Sequence, residues 1–410
     1  MSERFRRPAI RLGRLAVLPL LALLISTASG DEPAAPPEKP TTGQADGSGD
    51  KSATKTSRPT RKESKTPSSS GSKPRSNKVD MSPVPPNKKA EKKDLKRLGE
   101  KFKLRQTAHY SILYDTSEED VKLFAAAIER TYRSCMNYTQ RLGFDAHPPK
   151  HKLLIYYFEE HGDYSKFSVK LGKGQREQSN PGVFFPDMNR SMFYNFRNQE
   201  SYRQLREQAE QRIAQLREQL NQPGSNRRQI AQEIAQARRL ANFSNVQGGD
   251  QNEATIQHEV AHQVLWNIGF HNPDNFFANP RWLAEGTAML FEPVSTGKSA
   301  NFGALNKERL KEFQELVRQN QLIPLRDFIS THGYFGPQTI GIAYPQSWAL
   351  THYLNRMKKD KVREYAELIN KRPKDFETTP EKEIADFEKV FGKVDDKWVQ
   401  SWLNWMKTVR

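Results

Sequence analysis

A single cysteine in 410 residues, Cys135, rules out a disulfide framework. Long apolar runs are missing too. The one stretch apolar enough to interest a bilayer, residues 15–25, has 11 residues, against the roughly 20 that a spanning helix needs. A polytopic membrane protein is therefore excluded. Large apolar side chains are nearly absent from residues 31–93, which hold ten of the 25 prolines among Ser, Thr, Lys and Gly. Such a stretch cannot bury enough surface to offset its ordering entropy, and it is expected to be a disordered tether. A concentrated basic face is missing as well, although the formal charge is +17. The first 30 residues carry five arginines against one glutamate, and 31–93 carry 14 basic against 8 acidic side chains, which leaves the larger part only mildly basic. No specific nucleic-acid partner is expected.

What is present begins with a leader. Arg4, Arg6, Arg7, Arg11 and Arg14 precede the apolar stretch, and Ser26-Thr27-Ala28-Ser29-Gly30 follows it. That order reads as a secretory signal peptide over 1–30, cleaved after Ala28 or Gly30, with an uncleaved anchor as the alternative. No cysteine follows the apolar stretch, which argues against lipid modification. The expected location is secreted, periplasmic or cell-envelope, with no stable membrane insertion once the leader is removed. The paired lysines Lys88-Lys89 and Lys92-Lys93 read as part of a solvated spacer.

Residues 94–410 have globular patterning. Strand-like composition at 109–114, 152–158, 183–185 and 192–194 alternates with a helical stripe of Val121, Phe124, Ala125, Ile128, Tyr132, Cys135 and Met136. Cys135 lies on that stripe and reads as a small core residue. Residues 164–171 read as helix, and the turn at 186–189 reads as a hairpin. Residues 198–242, dense in Gln, Arg and Glu with a break at Pro223-Gly224, predict a helical-hairpin insertion with a thin apolar seam. Beyond 251 the chain reads as successive helices. The expected fold class is α+β, a mixed N-terminal sheet followed by a mainly helical C-terminal half.

The strongest chemical signal is His258-Glu259-Val260-Ala261-His262. On a helix the two histidines stand one turn apart on one face, so two imidazoles can reach one metal ion. Glu259 is offset by one residue, where it can serve as a general base without being a ligand. A catalytic zinc site usually has three protein ligands. Residues 279–288, NPRWLAEGTA, offer Asn279 as a cap, Pro280 at the first helical turn and Glu285 as the third ligand. Gly286 reads either as a position that lets two helices close around the ion or as simple helix packing.

HEVAH followed by WLAEG resembles the gluzincin branch of zinc metallopeptidases. The context is similar to thermolysin-like and aminopeptidase-like members, and most of all to little-characterised bacterial secreted proteins grouped as MA-like peptidases. The similarity takes in the segment 344–354 and extends over most of 100–370. It implies a zincin-like fold with one zinc held by His258, His262 and Glu285, Glu259 as base and proton shuttle, and Tyr344 as the oxyanion donor, with His332 and Tyr334 as rivals. There are departures. No Gly-x-Met-Glu-Asn-type segment is present to hold a free amine, which speaks against an aminopeptidase. Position 289 is Met, so the acidic partner expected four residues after the glutamate ligand must come from elsewhere.

The resulting expectation is a secreted zinc peptidase acting on peptide or protein substrates, with residues 192–196 as the sheet edge that takes the extended peptide. The alternative is a cell-envelope binding or display protein with a zinc site but no catalysis.

Overall fold

The stretch KLLIYYF becomes β3 (Leu153–Phe158), buried along its whole length because both faces of its sheet are covered. The other strands are β1 (Lys103–Gln106), β2 (Tyr110–Tyr114), β4 (Gly182–Phe185) and β5 (Arg190–Tyr194), in the order β1-β2-β3-β5-β4. The β2–β3 and β3–β5 pairs are parallel, whereas β1–β2 and β4–β5 are antiparallel. Alternation along the strands sorts their side chains. Tyr110, Ile112, Ile155, Tyr157 and Phe193 enter the main core, and Leu113, Leu154, Tyr156, Phe158 and Met192 enter a second core on the opposite face. The computed structural model describes residues 80–172, 174, 181–223, 226–293 and 304–410, with the backbone alone at 243–252. These all belong to one compact unit, Asn77–Arg410. The leader 1–30 and the tether up to residue 79 lie outside the described residues.

Helix α1 (Lys88–Leu98) begins inside the segment 31–93 expected to be tether, so residues 88–93 are helical. Its lysines Lys88, Lys89, Lys92 and Lys93 face solvent and mask an inward face that is partly polar. Buried Glu91 accepts hydrogen bonds from Ser111 Oγ at 2.5 Å and Gln106 Nε2 at 2.8 Å, and Asp94 pairs with Arg190 at 2.8 Å. An acidic pair in a lysine-rich run looks solvated in sequence. Here it binds the sheet, beside Ala90, Leu95 and Leu98, which pack on the second core.

The expected stripe forms α2 (Glu118–Leu142), started by Ser117, whose side chain accepts from the Asp120 amide, and ended by Gly143 in the left-handed region at φ 74°. Cys135 is fully buried on it, and burial pushes its thiol pKa up. α3 (His161–Lys170) covers the second face, with Tyr164 and Phe167 in that core.

The hairpin expected at 198–242 is α4 (Glu200–Leu220) and the first part of α5 (Arg227–Asn267). The second arm runs without interruption through HEVAH as one 41-residue helix. Ile256, Val260, Ala261, Val264 and Leu265 of that helix enter the main core.

The helices that follow are α6 (Arg281–Ala288), α7 (Lys307–Arg318), α8 (Leu325–Ser330), α9 (Ile340–Met357), α10 (Lys359–Asn370), α11 (Pro380–Phe391) and α12 (Asp396–Thr408). The fold is α+β, a five-stranded mixed sheet and a mostly helical C-terminal half. Among the described residues no helix is long and apolar enough to cross a membrane. The strand at 190–194 is interior, between β3 and β4, because its parallel pairing with β3 leaves the preceding strand outside it. The edge strands are therefore β1 and β4, not the 192–196 segment expected from sequence.

Gly286 packs α6 against α9. A Cβ there would lie 2.1 Å from Thr351 Oγ1 and 2.6 Å from the Ser347 carbonyl, closer than atoms can approach. Gly286→Ala is expected to destabilise the protein by about 1–3 kcal/mol from overpacking, although alanine gains up to about 1 kcal/mol in helix propensity. Urea denaturation of the two proteins reads the difference, and an unchanged midpoint would contradict the packing.

Candidate metal centre

α5 carries His258 and His262 on the face turned toward α6, where one turn of α-helix aligns them. Its register against the sheet is fixed by buried Gln263. Gln263 Oε1 accepts from Ser191 Oγ at 3.0 Å and its amide donates to the Leu154 carbonyl at 3.2 Å. α6 is placed by the turn before it. Buried Arg372 donates to the Ala278 carbonyl while pairing with Glu383 at 2.6 Å and Asp386 at 2.7 Å. Asn279 is not the expected cap, since Pro280 occupies that position. Asn279 instead binds the preceding turn, accepting from the Asn272 amide and donating to the Phe276 carbonyl.

These placements bring His258, His262 and Glu285 together as a buried group that could hold a metal ion. His258 Nε2 lies 3.1 Å from His262 Nε2 and 3.2 Å from Glu285 Oε2, and His262 Nε2 lies 3.4 Å from the same oxygen. Nitrogen and oxygen ligands about 2.0–2.1 Å from a tetrahedral ion stand roughly 3.3 Å apart, so the three atoms have the spacing of one coordination shell.

Met289 leaves no acid four residues after Glu285, and the structure supplies a different one. Glu292 Oε1 lies 3.0 Å from His258 Nδ1. Arg309 grips both oxygens of Glu292, Nε at 3.1 Å and Nη2 at 3.2 Å, and Asn306 donates to it at 2.8 Å. Asn306 also caps α7 by accepting from the Arg309 amide. Nothing in the local pattern around Glu292 announced this brace; the missing acid at 289 was the only hint. His262 Nδ1 makes no hydrogen bond among the described residues, so the brace acts on one histidine.

The charges follow. Burial opposes a proton on His258, but its hydrogen bonds to Glu285 and Glu292 prevail and lift its pKa to about 10 without a metal. Burial would raise Glu285 and Glu292. The charges on His262 and His258 hold Glu285 well below the usual carboxylate range, and Arg309 together with His258 holds Glu292 near about 2.

Glu259 points toward the sheet edge, where its Oε2 accepts from the Phe184 amide of β4 at 2.8 Å. Burial raises its pKa against the lowering effect of the two histidines. Phe184 was not among the residues singled out in the sequence. Tyr344 stacks on the His258 ring at 6.2 Å between centroids and 24° between planes, with Arg309 5.7 Å from its own ring. Burial raises its pKa well above 10, so its hydroxyl stays a donor. The structure gives neither His332 nor Tyr334 a hydrogen bond or ring contact with His258, His262 or Glu285.

A family described as "Protein of unknown function (DUF1570)" matches residues 252–375, a span that includes His258, Glu259, His262, Glu285, Glu292, Arg309 and Tyr344. No curated protein matches the chain. No solved structure matches it either.

Two outcomes are expected of the brace and the buried charges. Glu292→Gln should weaken binding of a divalent metal by about 10–100-fold, measured by competition with a chelator; unchanged affinity would show that Glu292 does not act through His258. The raised pKa of His258 means that its proton stabilises the metal-free fold below about pH 6.5 and that this contribution is lost as pH rises toward about 10. A metal must displace that proton. Metal affinity should therefore climb, and the melting temperature of the metal-free protein should fall, over the same window; a flat affinity profile would contradict the assignment.

Proposed function

We propose that the chain is a zinc-dependent peptidase of gluzincin type, secreted or held in the cell envelope, with His258, His262 and Glu285 as zinc ligands. The observation that carries this reading is the metal-ligand triangle with a spare carboxylate, Glu259, beside it and outside it. A structural zinc site normally fills its fourth position with protein. Here no fourth His, Cys, Asp or Glu joins the group among the described residues.

Bound zinc would supply a Lewis acid for the scissile carbonyl and lower the pKa of a coordinated water toward about 7. Glu259 takes a proton from the attacking water and delivers it to the leaving amine. Its upward pKa shift brings it closer to the working pH, which a proton shuttle requires. The Phe184 hydrogen bond fixes the orientation of that carboxylate. Tyr344, held protonated, donates to the developing oxyanion. The substrate backbone lies along β4, the edge strand beside Glu259, and adds a strand to it. β4 and Glu259 are in direct contact, so a peptide on that edge reaches the base.

Glu259→Gln keeps size and polarity but removes the base. On an unfolded protein substrate it is expected to lower kcat/KM by about 10²–10⁴-fold, the usual contribution of general acid–base catalysis. Equal rates would leave a zinc-binding envelope protein without catalysis.

A further inference from the structure

Arg281 opens α6, one turn before Glu285. Its Nε lies 3.6 Å from Glu285 Oε1, beyond hydrogen-bond reach. The opposite oxygen, Oε2, is the one turned to the two histidines. The Arg281 side chain is 47% exposed. Its guanidinium lies 5.4 Å from the Phe335 ring centroid; Phe335 packs on Tyr344, and Tyr344 stacks on His258. Arg281 thus stands at the mouth of the site, on the side of the oxyanion donor.

The neighbouring cation is in a different position. Arg309 is held by both oxygens of Glu292 and by Glu312. Among the described residues Glu285 is the one carboxylate within ion-pair distance of Arg281, and a metal ion would draw on that same carboxylate. His332 faces the same guanidinium; burial and the charges of Arg281 and Arg372 lower its pKa, so it stays neutral and offers an anion neither attraction nor repulsion. A planar guanidinium packed on an aromatic face, half exposed and without a hydrogen bond, is suited to grip a carboxylate in bidentate fashion.

We propose that Arg281 forms an anion subsite beside the metal ligands and that preferred substrates place a carboxylate there, within a residue or two of the scissile bond. The proposal rests on the peptidase reading for the word substrate, but the subsite itself does not. The carboxylate is either an acidic side chain or the free C-terminus of the peptide.

The test uses the full zinc-loaded chain in two arms. The first compares quenched peptides of one sequence carrying Glu or Gln on either side of the cleaved bond, each with a free or an amidated C-terminus. A carboxylate is expected to raise kcat/KM about tenfold, mainly through KM. A Glu-over-Gln effect that survives amidation identifies a side-chain carboxylate, and an effect abolished by amidation identifies the C-terminus. Arg281→Gln should bring the ratio close to one with zinc content unchanged, and Arg281→Lys should retain part of it. Equal rates for all peptides, or a preference that persists in Arg281→Gln, would overturn the subsite. Weaker zinc binding by Arg281→Gln, with the preference intact once the variant is reloaded in excess zinc, would overturn the subsite and make Arg281 a prop for Glu285 only.

The second arm reads binding without turnover, by calorimetry of two dipeptide hydroxamates that differ by Glu or Gln. Tighter binding of the Glu compound, lost in Arg281→Gln, is expected. If no peptide is cleaved and this difference still appears, the subsite stands and the peptidase reading falls. Equal binding of the two compounds overturns the subsite.

Discussion

Three polar atoms that could hold a metal ion, from two imidazoles and one carboxylate, converge within 3.4 Å of one another in a buried site. A like arrangement of polar atoms inside a core would be strongly unfavourable unless something compensated each one. Much of the C-terminal half is organised around this convergence. Glu292 braces His258, Arg309 and Asn306 brace Glu292, and the cap that Asn306 provides starts α7. Arg372, with Glu383 and Asp386, fixes the turn that leads into α6. Gly286 lets α9 approach α6 closely enough to bring Tyr344 over the His258 ring. Each contact passes position from one element to the next until the ligand atoms are set.

α5 connects the two halves of the molecule. It presents both histidines, packs in the main core through Val260, Ala261, Val264 and Leu265, and holds the sheet through Gln263. The same helix continues outward as one arm of the hairpin with α4. Glu259 ties it to β4. The proposed base and the proposed peptide-binding edge are therefore joined by one hydrogen bond, which gives the peptidase reading its geometric coherence.

Some of this was legible in the amino-acid order, for reasons that can be named. The α2 stripe and the buried run of β3 declare themselves because period and composition are local properties. His258 and His262 do so because one helical turn converts a four-residue spacing into proximity. Glu285 needed a second motif, read as a helix, to be tied to the first. The residues that escaped are those whose role exists only across the fold. Glu292 and Arg309 are ordinary charges in sequence and become a brace through the packing of α7. The interior place of 192–194 depends on a parallel pairing of β5 with β3 that hairpin logic does not predict. α1 is hard to read in the sequence because its inward face mixes the acidic Glu91 and Asp94 with only three apolar residues, Ala90, Leu95 and Leu98, in a lysine-rich run.

The central claim is that His258, His262 and Glu285 form one metal site. It is tested most directly by the metal content of the purified full-length chain, measured by elemental analysis beside a Glu285→Ala variant. About one zinc per chain, clearly lost in the variant while it remains folded, is the predicted result. A well-folded wild type that takes up no zinc, or a variant that keeps it, would contradict the account.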